Sequence, residues 1–328
     1  MPPRLSARKI ALAACFAVAG LVLPVTASAA TAPKPAIGEA FPDPDVLSYG
    51  ISYYAYSTNV GYSDGVRNVP VRQTSVTMDG QWTDRGDALP NLPGWVGRYR
   101  GTGSYNVWAP DVSRRADGTF VMYFAANNKA DNHQCIGAAT SWTPLGPFKP
   151  VQNPIVCTKS AFEEIDPATF DEFLGKHYLS YKSAPNPGGI GAKIYVAEVS
   201  ADGLHVTGPA RAVLAADRPE ERGVIEAPTL IKRGFTYYLF YSAAPFNSGH
   251  YFVNYATAKS PYGPFTKAPG TLLDGNTYGM RLPDPGGQDI VSTVFGDRIV
   301  FHADTAKGRQ MFVRPLNWNL LNGRPSIG

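Results

Sequence analysis

Short polar segments that combine a carboxylate with a proline recur along this sequence. Four contain proline, and a fifth lacks it: Asp43-Pro44-Asp45-Val46, Ala109-Pro110-Asp111-Val112, Asp166-Pro167-Ala168-Thr169, Glu226-Ala227-Pro228-Thr229 and Gly287-Gln288-Asp289-Ile290. In three of them a carboxylate stands at, or just before, the residue that precedes proline: Asp43, Asp166 and Glu226. Hydrolysis of a glycosidic bond uses two such groups, an acid for the departing oxygen and a second carboxylate for water or the sugar. A third carboxylate can raise the pKa of the acid by like-charge repulsion.

A structural interpretation competes with this one. Asp-Pro is common in turns, because Asp bonds its own backbone and Pro fixes φ. For a single motif we favour the turn. Three carboxylates that converge favour chemistry, because buried like charges are costly unless they are used.

A repeat predicts that these segments do converge. Aromatic strand-like segments begin at Ile51, Phe120, His177, Tyr237 and Arg298, so that successive starts are 57 to 69 residues apart. This period is typical of a propeller, whose blades place their first strand along a central channel. A β-sandwich gives no reason for such a regular repeat. We therefore predict an all-β, five-bladed propeller spanning residues 31–328 as a single catalytic domain.

The amino-acid composition agrees with an all-β fold and argues against one class of partner. The chain holds 33 Gly, 29 Pro and 12% aromatic residues, as expected for many short strands joined by turns. The formal net charge is only +4, and basic residues are scattered among acidic ones, which argues against nucleic acid as a partner.

The first 30 residues have the order of a secretory signal peptide. Arg4, Arg8 and Lys9 precede an apolar run over 10–23 and the sequence Ala27-Ser28-Ala29-Ala30. A lipoprotein box ending at Cys15 is the alternative, but the apolar run before it is short. The run is also too short for a membrane span. We predict a secreted, extracellular protein, monomeric and not bound to membranes.

Two cysteines remain after such a cleavage. Cys135 and Cys157 are predicted to form a disulfide in an oxidising compartment. Free thiols or a metal pair are the alternatives, and no CxxC motif supports the metal.

The ordered motifs resemble glycoside hydrolase family 43, whose members are inverting, five-bladed propellers. The resemblance rests on residues 41–46, 107–112, 165–167 and 226–228 and covers essentially the whole mature chain. It implies that Asp43 is the general base, Glu226 the general acid and Asp166 the residue that tunes the acid. Asp45 and Asp111 are interpreted as structural, because strand alternation should turn them away from the channel.

The fifth segment departs from the family pattern. Gly287-Gln288 stands where many members have Gly-His near a bound cation, and Gln is a poorer metal ligand than His. We expect no required cofactor, with a structural calcium ion left open and the metal ligands unknown. Trp108, Arg281 and Gln288 are the predicted substrate-binding residues, and His302 is interpreted as a packed, hydrogen-bonded histidine.

The predicted function is an exo-acting α-L-arabinofuranosidase on arabinan or a related polysaccharide. Alternatives are a β-xylosidase, an endo-arabinanase or a retaining fructan hydrolase, although the fructan motifs Asn-Asp-Pro, Arg-Asp-Pro and Glu-Cys are replaced here. A propeller that binds sugar without cutting it is the alternative from another class, and it leaves three carboxylates unexplained.

Overall fold

Five four-stranded antiparallel sheets follow one another along the chain. The computed structural model describes residues 33–328 except 64, 100–102, 159–161, 173–174, 186–190 and 280, so the predicted signal peptide lies outside the described residues. A small hairpin, β3 (Val60–Tyr62) and β4 (Gly65–Arg67), interrupts the first sheet. The remaining strands, in blade order, are β1 (Asp45–Tyr49), β2 (Ser52–Tyr56), β5 (Pro70–Ser75) and β6 (Thr83–Asp87); β7 (Val107–Arg114), β8 (Phe120–Asn128), β9 (His133–Ser141) and β10 (Lys149–Pro150); β11 (Phe162–Asp171), β12 (His177–Pro185), β13 (Lys193–Val199) and β14 (Arg211–Ala215); β15 (Ile225–Arg233), β16 (Thr236–Ala243), β17 (Phe252–Ala258) and β18 (Thr266–Lys267); β19 (Gly286–Thr293), β20 (Gly296–Thr305), β21 (Gly308–Trp318) and β22 (Pro325–Ile327).

The first strands of the five sheets form a closed ring. Strand β1 contacts β7, β7 contacts β11, β11 contacts β15, β15 contacts β19, and β19 contacts β1. The segment before β1 lies along the last blade, where Ala36 N donates to Met311 O and Phe41 N to Arg309 O. The five-bladed propeller predicted from the repeat is therefore confirmed. Its ring is closed where the N-terminal segment of the described region packs against the last blade.

The apolar core is divided among the interfaces between blades. Each of five buried clusters joins residues of two neighbouring blades, including the pair formed by the last and the first blade. In β8, Phe120, Met122 and Phe124 pack toward blade 1, whereas Val121 and Tyr123 pack toward blade 3. Both faces of a second strand are thus covered, so it reads as an unbroken apolar run.

The predicted disulfide between Cys135 and Cys157 is present, with an Sγ–Sγ distance of 2.01 Å. It joins β9 to the connection that leads into blade 3. The sequence interpretation had missed that a histidine accompanies the pair, since His133 Nε2 lies 3.4 and 3.5 Å from the two sulfur atoms. Among the residues that the structure describes, no helix has the length and apolar character needed to cross a membrane.

Candidate active site

An irregularity at the start of each innermost strand turns several consecutive side chains toward the axis. A residue with positive φ stands at the equivalent place in all five blades: Asp43 (51°), Ala109 (42°), Asp166 (55°), Ala227 (48°) and Gly287 (56°). In blades 2 to 5 the pairing register also skips at this point. Such bulges break strand alternation and re-aim side chains, and left-handed residues other than Gly concentrate at functional sites.

The irregular segments surround a cavity of about 500 Å³ on the axis. Asp43, Asp166 and Glu226 all line it, so the convergence predicted from sequence is confirmed.

Asp43 is held as an anion. Its Oδ2 accepts from Thr58 Oγ1 at 2.6 Å, and its Oδ1 lies 3.1 Å from the Arg309 guanidinium. Its backbone N–H donates to His302 Nδ1 at 3.0 Å. Burial opposes ionisation, but Arg309, His302 and Thr58 more than offset it and hold the pKa of Asp43 well below its usual range. An ionised carboxylate is the form that can take a proton from water.

Asp166 has the opposite character. Its Oδ2 accepts from Ala227 N at 2.9 Å. Burial, and then the charge of Glu226, raise the pKa of Asp166 to about 7, although Lys182 opposes the shift. Asp166 therefore keeps its proton under mildly acidic conditions.

Glu226 is bound at both carboxylate oxygens. Lys182 Nζ donates to Oε2 at 2.6 Å, and Tyr251 Oη donates to Oε1 at 2.8 Å. Lys182 reaches Glu226 from β12, and Tyr251 from the loop before β17. Neither contact was predicted from sequence.

The predicted orientation of Asp45 and Asp111 is wrong. Both side chains line the cavity, together with Asp289 of blade 5, because the irregularity before them resets strand alternation. Asp45 accepts from Val112 N at 2.9 Å, and Asp289 accepts from Val46 N at 3.0 Å. These bonds join neighbouring blades, so the structural role assigned to Asp45 fits its contacts.

Burial raises the pKa of all three of these carboxyl groups, with the charge of a neighbouring aspartate adding to it at Asp45 and Asp111. The pKa reaches about 7 for Asp111 and about 6 for Asp289.

Two of the three predicted substrate-binding residues line the cavity. Trp108 lines the cavity, with its ring 5.0 Å from that of Tyr99. Arg281 lies in the loop before β19, as expected, but it is exposed and is not among the residues lining the cavity, so its role in substrate binding stays a prediction. Arg309, at the start of β21, is the arginine that lies beside the carboxylates.

Gln288 lines the cavity, but its side-chain amide is hydrogen-bonded to the neighbouring blade. Its Oε1 accepts from Ser242 Oγ at 2.7 Å, and its Nε2 donates to Ala227 O at 2.6 Å. The nearest imidazole, His302, is buried as predicted, and its Nδ1 accepts from Asp43. Because His302 accepts at Nδ1, its ring proton lies on Nε2, which is buried without a hydrogen-bond partner among the described residues, so in this tautomer the ring offers no free lone pair to a cation. A structural cation at this place stays a prediction.

The described residues contain one group of three potential metal ligands, His133, Cys135 and Cys157, whose two sulfur atoms form the disulfide.

The fold agrees with comparisons to known proteins. The family model described as "Glycosyl hydrolases family 43" matches residues 32–320. The chain belongs to this family. The resemblance inferred from the motifs is thereby confirmed.

Several known proteins are similar to more than half of the chain. An extracellular endo-α-(1→5)-L-arabinanase 1 of Bacillus subtilis (strain 168) is 29% identical over 325 residues, covering 94% of each chain. A xylosidase/arabinosidase of Bacteroides ovatus is 31% identical over 218 residues, 58% of this chain and 62% of the relative. A crystal structure of a thermostable family-43 glycoside hydrolase superposes with a TM-score of 0.73 at 27% identity, covering 88% of this chain and 92% of that one.

Proposed function

We propose that the chain is a secreted, inverting glycoside hydrolase that releases L-arabinofuranose from the ends of arabinan or a related plant polysaccharide. The observation that carries the proposal is the division of electrostatic roles in one cavity. Asp43 is held ionised, whereas Asp166 and Glu226 lie close enough for the charge of one to raise the pKa of the other. Carboxylates whose environments separate their pKa values serve as the base and the acid of hydrolysis.

The mechanism then assigns one task to each group. Asp43 takes a proton from a water molecule as that water attacks the anomeric carbon. Glu226 gives a proton to the departing glycosidic oxygen, and Asp166 tunes the acid because the two carboxyl groups interact electrostatically. Trp108 supplies an apolar face against a sugar ring.

Arabinose as the released sugar is supported by the relatives. One is named an endo-arabinanase and another a xylosidase/arabinosidase, so both names refer to arabinose-containing substrates.

Exo action is supported by the wall of the cavity beside the base. Phe246, in the loop between β16 and β17, packs over the Arg309 guanidinium at 5.3 Å, and Arg309 contacts Asp43. Phe246 also lines the cavity, and we infer that its ring obstructs a continuing polymer on the side of Asp43. Endo cleavage remains the second candidate, because a relative that covers 94% of the chain carries that name.

Product analysis on linear arabinan tests the proposal. Free arabinose as the only early product is expected, whereas a ladder of oligosaccharides would favour the endo candidate. NMR of the first product should show inverted anomeric configuration, and a retained product would contradict the role of Asp43. Absence of hydrolysis on arabinan, arabinoxylan and aryl glycosides, with sugar still bound, would indicate a binding propeller instead.

A matched pair of variants links the products to the site. Asp43→Asn should lower the rate by about 10²- to 10⁴-fold. Asp117→Asn, in the exposed turn between β7 and β8 at the opposite end of β7 from the cavity-lining Ala109, should leave it unchanged.

A further inference from the structure

Lys182 places a positive charge at a position that is neutral in blades 2, 4 and 5. In each of these blades, one residue of the second strand pairs with the last residue of the first strand before the irregularity. This partner is Ala125 in blade 2, Lys182 in blade 3, Ser242 in blade 4 and His302 in blade 5. The Lys182 side chain is only 7% exposed. A buried ammonium is kept charged only by strong partners. Burial lowers the pKa of Lys182, but Glu226 and Asp166 more than offset this, so its net pKa is raised.

The partners of Lys182 determine the state of the acid. With Lys182 donating to one oxygen of Glu226 and Tyr251 to the other, both oxygens act as acceptors, which is the arrangement of an ionised carboxylate. A general acid must carry a proton, so in this arrangement Glu226 is not yet ready to donate one.

A second carboxyl group holds a proton in the same cavity. Asp166 has a raised pKa of about 7, caused by burial and by the negative charge of Glu226. Two carboxylates that interact in this way share protons as a pair.

The other charged and polar groups near Lys182, Glu226 and Asp166 do not change the difference in protonation between the two carboxyl groups. Glu163 adds negative charge near Lys182, and Asp43 adds negative charge near Asp166. Arg309 and His302 act on Asp43, and Ser242 is the neutral pairing partner of Glu226.

We propose that Lys182 is a positioning residue of the hydrolytic site, which keeps Glu226 as a carboxylate in the free enzyme while the proton of the acid pair rests on Asp166. This inference rests on the proposed function and specifies how its acid is controlled.

The proton balance of one turnover follows. Entry of the sugar displaces the ammonium from Glu226, and the proton of Asp166 passes to the freed carboxylate within the shared cavity. Glu226 delivers that proton to the glycosidic oxygen as the bond to the anomeric carbon breaks. Water supplies the oxygen of the new bond and gives one proton to Asp43. Asp43 then releases this proton to solvent, and Asp166 takes one proton back from solvent. The net reaction is hydrolysis, with no other reactant.

The pH profile of Lys182→Met tests this role. Loss of the positive charge should raise the pKa at which the acid pair loses its proton, so the alkaline limb of kcat/KM should move to higher pH. An opposite charge at this range is worth about 1–3 pKa units, so a shift of about one unit or more is expected. The acidic limb should stay in place, because Asp43 is governed by Arg309, His302 and Thr58.

Two further variants separate charge from structure. Lys182→Arg keeps the charge and should leave the alkaline limb near that of the wild type. Lys176→Met removes an exposed lysine paired with Glu198 and should move neither limb. A folded Lys182→Met protein with an unchanged alkaline limb would overturn the proposal.

A spectroscopic measurement needs neither activity nor a Lys182 variant. Carboxyl-labelled wild-type protein at mildly acidic pH should give an ionised ¹³C signal for Glu226 and a protonated one for Asp166, assigned with Glu226→Gln and Asp166→Asn. The reverse pattern would refute the inference even if Lys182→Met fails to fold. If the wild type hydrolyses no glycoside, the proposed function fails, while these signals still decide the protonation of the pair.

Discussion

Asp43 and Asp166 occupy equivalent left-handed positions in blades 1 and 3, yet their carboxyl groups behave in opposite ways. Burial disfavours the charge of both. Arg309 and His302 compensate for it at Asp43, whereas the charge of Glu226 adds to it at Asp166. The same local backbone therefore yields an ionised and a protonated group, and the difference comes from side chains of other strands.

Replacement of Arg309 by Met should move the acidic limb of the pH profile. The guanidinium lowers the pKa of Asp43, so its loss raises that pKa and the base is protonated at a higher pH. The rate should then fall earlier as pH decreases, as measured by kcat/KM on an arabinan oligosaccharide. Arg309→Lys should retain most of the wild-type acidic limb. An unchanged limb in both variants would show that Arg309 does not control the base.

Local motifs predicted the carboxylates but not the residues that set their charge. Asp43, Asp166 and Glu226 stand one or two residues before a proline, in short segments that can be recognised without a fold. Lys182 and His302 lie in second strands, and only packing between strands brings them to the axis. Their signal was nevertheless present, since each is a basic residue within an otherwise buried strand.

At the scale of the strand, the irregular start of each blade explains the failed prediction. Counted from the preceding proline, strict alternation turns Asp45 and Asp111 away from the channel, whereas counted from Asp43 and Ala109 it turns them toward the channel. The structure follows the second count, since the left-handed residue at Asp43 and at Ala109 begins the segment that faces the axis. A proline motif predicts a turn but not the φ of the residue before it, so the sequence did not show which count applies.

The loop between β16 and β17 is expected to control the mode of cleavage. Phe246→Ala removes the aromatic group over Arg309, which should open that side of the cavity to an internal segment of the polymer. The share of oligosaccharides among early products from linear arabinan should therefore rise, as measured by chromatography.

Phe235→Ala provides the matched control. Phe235 is 89% exposed at the turn between β15 and β16, at the opposite end of β15 from Glu226. Its loss should leave the product pattern unchanged. An identical pattern for Phe246→Ala and the wild type would mean that Phe246 does not set exo action.

At the scale of the whole molecule, the repeat was predictable because every second strand serves two interfaces. An aromatic or aliphatic residue is needed at each position of β8 from Phe120 to Phe124, since alternate side chains enter different cores. Closure was not predictable in the same way. The segment before β1 has no strand pattern of its own, and its backbone bonds to Met311 and Arg309 depend on the finished ring.

Ring closure should therefore affect chemistry as well as stability. Phe41 is fully buried between the last and first blades, and its N–H donates to Arg309 O two residues before Asp43. Phe41→Ala should lower the free energy of unfolding by about 3–5 kcal/mol and also reduce kcat, because it loosens both Asp43 and its arginine. Phe148→Ala truncates an equally buried ring in blade 2 and should lower Tm with little change in kcat. Thermal unfolding and kinetics of both variants, measured well below their Tm, decide the matter. Equal losses of Tm with equal kcat would show that closure stabilises the propeller without positioning the base.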